Sequence, residues 1–445
     1  MRLLVTALAS GSGKTTVSLA LALAFRAKGL RVQAFKVGPD YIDPTHLARA
    51  TGRPVRNLDG FFLKPAGLLE VFQRGIRGSD LALIEGVMGF FDGKDPLGRV
   101  GSTLQVARLL KAPVVLVVDA SGMAGSIAAL ALGFRRLARG VRLAGVVANR
   151  VGSHRHAEIL KEALTARGIP FLGYLPKDPA LALPERHLGL VLAQEVALPE
   201  EALLKAAQGL DLEAILKVAA SAPPLVAPTG LFPEKRPKVA ALALAQDEAF
   251  NFYYPEALEL LEALGLDLIP FSPLSDPKLP PGVGGVYLGG GYPELYAQAL
   301  SENRALREEL RRFKGVIYGE CGGYMYLAQA LRTEKGRFSM LGLVPGEAVM
   351  AQRPILGYRE VVALRASPVA RKGMVAKGHE FHYSRLDLPG NAWRQKGGHQ
   401  TEGYTDGRIL GSYIHLYFPA KLALAERFVA KVEAWSSGSK GRPRP

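Results

Sequence analysis

At 445 residues, 48% of them hydrophobic and 50 of them glycine, the chain has enough apolar material for two or three domains of about 150 residues each, which excludes a disordered or low-complexity protein. A single cysteine excludes internal disulfides and suits a reducing compartment. The net charge of +16 raises nucleic-acid binding, but the basic residues are scattered without an aromatic-interleaved stripe, so no nucleic-acid partner is expected and small polyanionic substrates fit better.

Met1 to Ala9 imitates a secretory signal. Its apolar run is short, and a phosphate-binding loop begins where cleavage would fall, so a mature cytoplasmic protein is expected. No stretch approaches the ~20 apolar residues of a membrane span, so no membrane partner is expected. Arg2 to Leu8 predicts a buried strand and Thr16 to Lys28 a helix ended by Gly29. Between them stand Ser10, Gly11, Ser12, Gly13, Lys14, Thr15 and Thr16. Glycines there let backbone N–H groups wrap a phosphate at a helix start, Lys14 neutralises the β/γ phosphates of ATP, and the Thr15 hydroxyl serves Mg²⁺. The strict pattern asks for glycine where Leu8 stands, so the loop is a variant.

A second strand, Arg31 to Val37, runs into Gly38-Pro39-Asp40-Tyr41-Ile42-Asp43-Pro44. Asp40 and Asp43 at a strand's C-terminal end face the phosphates in an open α/β sheet; the alternative is a solvated turn. The third strand, Leu81 to Ile84, ends in Glu85, the arrangement that supplies a Mg²⁺ ligand directly or one layer removed. Asp92, bracketed by glycines, faces substrate or metal, or simply closes an Asp-Gly turn. Strands Pro113 to Asp119, Leu143 to Ala148 and Phe171 to Pro176 continue a mostly parallel, doubly wound α/β sheet. Arg186 and His187 contact an anionic ligand or form an ordinary polar loop.

Leu198 to Val218 patterns as one helix, and Ser221 to Pro237, rich in proline, as a linker. The expected division is residues 1–190, a helix and proline-rich linker 191–237, a second α/β domain 238–435, and a basic tail 436–445. In the second domain a strand ends in Gly289-Gly290-Gly291. Another, Gly315 to Tyr318, enters Gly319-Glu320-Cys321-Gly322-Gly323 before a helix. A cysteine at such a turn reads as a nucleophile elbow, its thiolate stabilised by the helix start; a buried structural cysteine is the alternative. The N–H groups of Gly290 or Gly291 and of Gly322 are candidates for an oxyanion hole. Gly378-His379-Glu380-Phe381-His382 alternates like a strand rather than a zinc motif. Gly411 to Ile414 leads to His415, the candidate base for Cys321.

Cysteine followed by histidine at a later strand end resembles the class I glutamine amidotransferases, most of which carry a Glu where Tyr417 stands. The first domain resembles P-loop ATPases of the dethiobiotin-synthetase type, in which Asn149 would read the adenine edge. Ala9, where partition-type ATPases carry a second lysine, speaks against that class. The segments Lys36 to Pro44, Glu85 to Gly93, Asp247 to Tyr254, Leu288 to Glu294, Glu320 to Gly323 and Gly378 to Ser384 together resemble the cobyrinic acid a,c-diamide synthase family. That resemblance covers the whole chain and implies two doubly wound α/β domains. It also implies a chemistry. Glutamine is split at Cys321, and ammonia passes internally. ATP with Mg²⁺ at Thr15, Asp43 and Glu85 phosphorylates a corrin carboxylate, which ammonia converts to an amide, the c acetate before the a. Asp40 and Asp92 would stabilise the charged transition state, position cobyrinic acid, or deprotonate ammonium. A hydrogenobyrinic acid or nickel-tetrapyrrole amidating enzyme, a cobyric acid synthase, and a nucleotide-gated binding protein with a decayed amidotransferase domain are the rival readings. A homodimer is left open.

Overall fold

The computed structural model describes residues 1–186, 189–226, 228 and 230–439. The chain divides into two units, Met1–Thr229 and Gly230–Pro445. In the first, β1 (Arg2–Ala7), α1 (Lys14–Ala27), β2 (Val32–Val37), α2 (Asp43–Thr51), β3 (Arg56–Leu58), α3 (Pro65–Gly75) and β4 (Leu81–Glu85) come first. They are followed by α4 (Thr103–Leu110), β5 (Val114–Asp119), α5 (Ser126–Leu137), β6 (Leu143–Val151), α6 (His154–Thr165) and β7 (Phe171–Pro176). The strands form one parallel seven-stranded sheet in the order β3-β2-β4-β1-β5-β6-β7. Runs such as Leu3-Leu4-Val5 and Val114 to Val118 are buried along their length, as strands covered by helices on both faces require. Because the strands are parallel, the loops after β1, β2 and β4 open at the same edge, where α/β sheets place ligands.

A short ladder, β8 (Glu185–Arg186) with β9 (Gly189–Leu190), follows. His187 and the side chain of Arg186, named as anion contacts, lie outside the described residues. The expected helix Leu198 to Val218 is instead two, α7 (Glu200–Ala207) and α8 (Leu212–Ala220). The break has a cause in the sheet: Gly209 O accepts from Tyr174 N at 2.9 Å and Asp211 N donates to Leu172 O at 3.0 Å, so these residues cover the β7 edge. Asp211 then caps α8 through the N–H of Ala214. Leu203, Ala207, Ile215 and Ala219 are buried in the same core as α1, so the helical part of the 191–237 stretch packs within the first unit.

The second unit opens with β10 (Ala240–Ala245), α9 (Pro255–Ala263), β11 (Leu266–Phe271), β12 (Val283–Leu288), α10 (Ala297–Glu302) and α11 (Arg304–Arg312). Next come β13 (Val316–Glu320) and the short α12 (Gly322–Leu327). Then β14 (Ala330–Thr333), β15 (Gly336–Ser339) and the long hairpin of β16 (Glu347–Ala363) with β17 (Val375–Leu386) build a second sheet, joined by β18 (Trp393–Gln395) and β19 (Thr401–Glu402). The chain returns through β20 (Tyr404–Thr405) and β21 (Ile409–Ser412) to the first sheet, whose order is β11-β10-β12-β13-β21-β20, parallel but for β20. It crosses to the second sheet at β22 (His415–Leu416), which pairs with β17. His415 thus stands where the chain passes from one sheet to the other. Helix α13 (Leu422–Ser439) runs into the expected tail, whose remainder lies outside the described residues. No helix among the described residues is long and apolar enough to cross a membrane.

Leu203 is completely buried on α7, against α1. Leu203→Ala is expected to cost about 2–5 kcal/mol in urea denaturation, the range for an emptied core site; a surface-like cost below about 0.5 kcal/mol would detach α7 from this core.

Candidate active sites

In the first unit, Gly13 ends the loop after β1 at φ 90°, and α1 begins at Lys14. Asn149, from the end of β6, donates Nδ2 to Ser12 O at 3.1 Å, and a Cβ on Gly13 would fall 1.9 Å from that nitrogen. Asn149 therefore packs on the loop, and only its Oδ1 and second Nδ2 hydrogen remain for a base. Lys14 is buried, with Nζ 3.1 Å from Ala9 O. Its pKa falls to about 8, chiefly through burial and then the charge of Lys36, with Glu85, Asp43 and Asp92 pulling the other way. An incoming phosphate would restore the full charge.

Thr15 Oγ1 donates to Glu85 Oε1 at 2.9 Å and reaches Asp43 Oδ2 at 3.4 Å. The expected cluster of Thr15, Asp43 and Glu85 is therefore brought together. At its centre is a residue given no role above: Lys36, whose Nζ lies 2.5 Å from Asp43, 2.6 Å from Glu85 and 3.5 Å from Asp40. Its side chain is 3% exposed. Burial alone would lower its pKa, but the three carboxylates outweigh burial and raise it. The signal was present in the sequence as the one charge within the apolar strand Val32–Val37.

Asp40 Oδ1 accepts from Ile42 N at 2.8 Å and so shapes the turn into α2. Burial and then the Asp43 charge push its carboxyl up to about 7, against the pull of Lys36. Asp43 goes the opposite way, to about 2, because Lys36 overcomes the effect of burial. Asp92 is exposed: Oδ2 accepts from Gly89 N at 2.9 Å, closing the turn, and its charge acts on Lys14.

In the second unit, Cys321 is 4% exposed and adopts φ 48°, ψ −101°, a strained conformation for a residue with a Cβ. Its N–H donates to Ser412 O at 2.8 Å and its carbonyl accepts from Met325 N. Here an expectation fails: the thiol is pushed well up rather than down, by burial first and then by the charge of Glu294, with only the Gly322 N–H opposing. Helix α12 is too short to outweigh that burial. The resting sulfur is a thiol, and it needs a base.

His415 is 1% exposed, and a Cβ on Gly290 would lie 2.4 Å from its Cε1. The Gly289–Gly291 turn is bonded to the cysteine loop through Gly323 N to Gly289 O at 2.9 Å, and a Cβ on Gly322 would lie 3.1 Å from Gly291 N. Cys321, Gly322, Gly290, Gly291 and His415 therefore converge. Gly289 N instead donates to Tyr253 Oη at 2.8 Å. A thiol, an imidazole and nearby backbone N–H groups are equipment for acyl transfer.

The segment Gly378 to Ser384 is strand, within β17. His379 and His382 fall on opposite faces: His379 stacks on His415 at 4.9 Å and meets Tyr254 Oη at 3.0 Å, whereas His382 stacks on Tyr413 at 3.9 Å. Both are held neutral by burial, His382 at about 4. Glu320, also assigned no role from sequence, is 1% exposed and adjoins both Cys321 and His415.

Residues 3–191 match the CobQ/CobB/MinD/ParA nucleotide binding domain, and residues 241–423 match the CobB/CobQ-like glutamine amidotransferase domain. The chain is thus a nucleotide-binding domain joined to a glutamine amidotransferase domain. Over 97% of its length it is 43% identical to the cobyrinate a,c-diamide synthase of Synechocystis sp., covering 93% of that protein. The enzymes of the same name from Gloeobacter violaceus (43% identity; 100% of this chain, 99% of the relative) and Picrophilus torridus (39%; 96% and 98%) are similar throughout. The chain belongs to the cobyrinate a,c-diamide synthase family.

Two outcomes follow from the charge cluster. Lys36→Met strands buried carboxylates and is expected to cost about 3–5 kcal/mol, and Mg²⁺ should raise the variant's melting temperature more than the wild type's; equal increments would show that Lys36 does not balance this charge. Between about 4 and about 7 the folded chain holds a proton on Asp40 that the unfolded chain has shed, so this group removes stability as pH rises through that window. Asp40→Asn should therefore gain melting temperature on the wild type from about pH 5 to about pH 8, and a pH-independent difference would contradict it.

Proposed function

We propose that this chain is an ATP- and glutamine-dependent ligase that converts the a and c acetate side chains of cobyrinic acid to carboxamides in cobalamin biosynthesis, in the cytoplasm. The reading rests on the near full-length similarity to enzymes of that name, and on one chain carrying both a phosphate-binding loop ringed by carboxylates and a cysteine–histidine site.

In the second unit, His415 takes the Cys321 proton as the sulfur adds to the side-chain amide carbon of glutamine. The N–H of Gly322, with that of Gly290 or Gly291, receives the charge developing on the amide oxygen. His415 returns the proton to the departing nitrogen, ammonia leaves, and water releases glutamate from the thioester. In the first unit, the loop Ser10 to Thr16 holds ATP, with Lys14 at the phosphates and Asn149 at the adenine. The γ-phosphoryl group passes to a substrate carboxylate, and ammonia displaces phosphate to leave the amide. Asp40 and Asp92 stand at the loop mouths, where a carboxylate can position the substrate or take a proton from ammonium.

The donors in the first unit suit a magnesium ion. Thr15, Asp43 and Glu85 offer oxygen; Asp43 Oδ2 and Glu85 Oε1 already face the Lys36 ammonium, whereas Glu85 Oε2 is buried with no hydrogen-bond partner. No group of three or more His, Cys, Asp or Glu among the described residues could hold a metal alone; Mg²⁺ commonly takes one or two carboxylates and completes its shell with phosphate oxygens and water. Bound there, it would neutralise charge on the transferring phosphoryl group.

Cys321→Ala separates the two half-reactions. With cobyrinic acid, ATP and glutamine the variant should give no amide, and added ammonium should restore product bearing two new carboxamides by mass spectrometry. If neither protein turns over ATP with the corrinoid, the tetrapyrrole assignment is wrong.

A further inference from the structure

Class I glutamine amidotransferases orient their histidine with a carboxylate, and Tyr417 stands where the sequence pattern would supply it. The Tyr417 hydroxyl is directed elsewhere: it donates to Glu256 Oε1 at 2.9 Å, both residues being completely buried. We infer that Glu320, the residue immediately before the nucleophilic cysteine, is the positioning residue for His415, setting its tautomer and balancing the charge it acquires. The inference rests on the proposed glutaminase reading of Cys321 and His415.

Glu320 closes β13, and strand alternation places it on the same face as Tyr318. The neighbouring β12 sets Tyr287 opposite Tyr318, with the two rings stacked at 4.9 Å. Both phenols donate to the Glu320 carboxylate, Tyr287 Oη at 2.8 Å to Oε2 and Tyr318 Oη to Oε1. Leu416 N donates to Oε1 at 2.9 Å, tying the carboxylate to the backbone of the residue after His415. Glu320 Oε2 is then 3.7 Å from His415 Nδ1. A carboxylate only accepts, so it fixes whatever faces it as a donor. With Nδ1–H toward Glu320, the lone pair must sit on Nε2. Nε2 is then the basic nitrogen that would take the thiol proton in the proposed glutaminase. The ring is held on its other side by stacking on His379, itself fixed by Tyr254.

At 3.7 Å the contact is longer than a hydrogen bond. Such contacts are often long before substrate binds and tighten as the reaction proceeds. When the S–H bond breaks and His415 becomes imidazolium, the attraction to Glu320 strengthens, so the carboxylate favours the charged state over the resting one. Placing it one residue before the cysteine gives nucleophile and orienter a single rigid strand end.

The test compares glutamine-driven with ammonium-driven amidation in the full chain. Glu320→Gln keeps the shape and most of the hydrogen bonds but removes the charge. It should lower kcat with glutamine by about 10²-fold, hold KM for glutamine, and leave ammonium-driven turnover unchanged. Tyr287→Phe, which removes one hydrogen bond to Glu320 but keeps the ring packing and the carboxylate charge, should lower the melting temperature and reduce the glutamine-driven kcat by less than Glu320→Gln does. In a His415→Ala background Glu320→Gln should cost nothing further, because the carboxylate acts through the imidazole. Undiminished glutamine-driven kcat in Glu320→Gln overturns the inference, and so does an equal added loss in the His415→Ala background. Should Glu320→Gln prove insoluble, Glu320→Asp, which withdraws the charge by one methylene, carries the same comparison: a fall in kcat at constant KM supports it and no fall overturns it. If Cys321→Ala itself keeps glutamine-driven activity, the glutaminase reading fails, a different outcome from failure of Glu320 alone.

Discussion

A charge taken out of water has to find its opposite, and the candidate site of the first unit is arranged around one such pairing. In the first unit the charge is the Lys36 ammonium, buried by the sheet and surrounded by Asp40, Asp43 and Glu85. Without it, carboxylates at the ends of β2 and β4 would repel one another across the opening above the phosphate loop, and one or more would take up a proton. Asp40 already shows this tendency, its carboxyl raised to about 7 chiefly by burial and then by Asp43. Lys36 lets the set remain assembled while still carrying charge for a ligand to use. Thr15 is drawn into the same network by its bond to Glu85, which ties the start of α1 to the end of β4.

The second unit faces the reverse problem. Its reactive group is neutral at rest because burial raises the thiol. What the fold supplies is conformation. Cys321 is held at φ 48° by its N–H on Ser412 O and its carbonyl on Met325 N, and glycines on both sides let the 289–291 turn and the His415 ring come close. Strain of that kind persists only where the surroundings over-determine it. Here the parallel pairing of β13 with β12 and β21 does so on both flanks.

Much of this was legible in the sequence because it was local. Strand–loop–helix patterning gave the phosphate loop, the carboxylates at strand ends, and the turn at Cys321, since each is a short run whose hydrophobic period stops at a polar or glycine signal. What stayed hidden depended on partners far away in the chain. Lys36 looks like an ordinary charge until Glu85 is beside it, and Glu320 looks like a polar flank of the cysteine until β22 delivers Leu416 N and His415. The division of the 198–218 helix came from hydrogen bonds to the edge of β7, which helical periodicity cannot anticipate. The second sheet of the later unit was glimpsed only at Gly378 to Ser384, because β16 is largely half-exposed and its apolar alternation is weak.

The expectation that a helix start would hold a thiolate at Cys321 failed for a reason with mechanistic weight. A helix terminus contributes on the order of 0.3–1 kcal/mol, whereas complete burial of an anion without a partner costs several. With α12 only Gly322–Leu327 long, the balance falls to burial, and the thiol keeps its proton. In the proposed glutaminase, proton removal by His415 then accompanies attack on the amide, because burial and the charge of Glu294 both disfavour a free thiolate. The histidine's orientation therefore matters more here than the cysteine's intrinsic acidity.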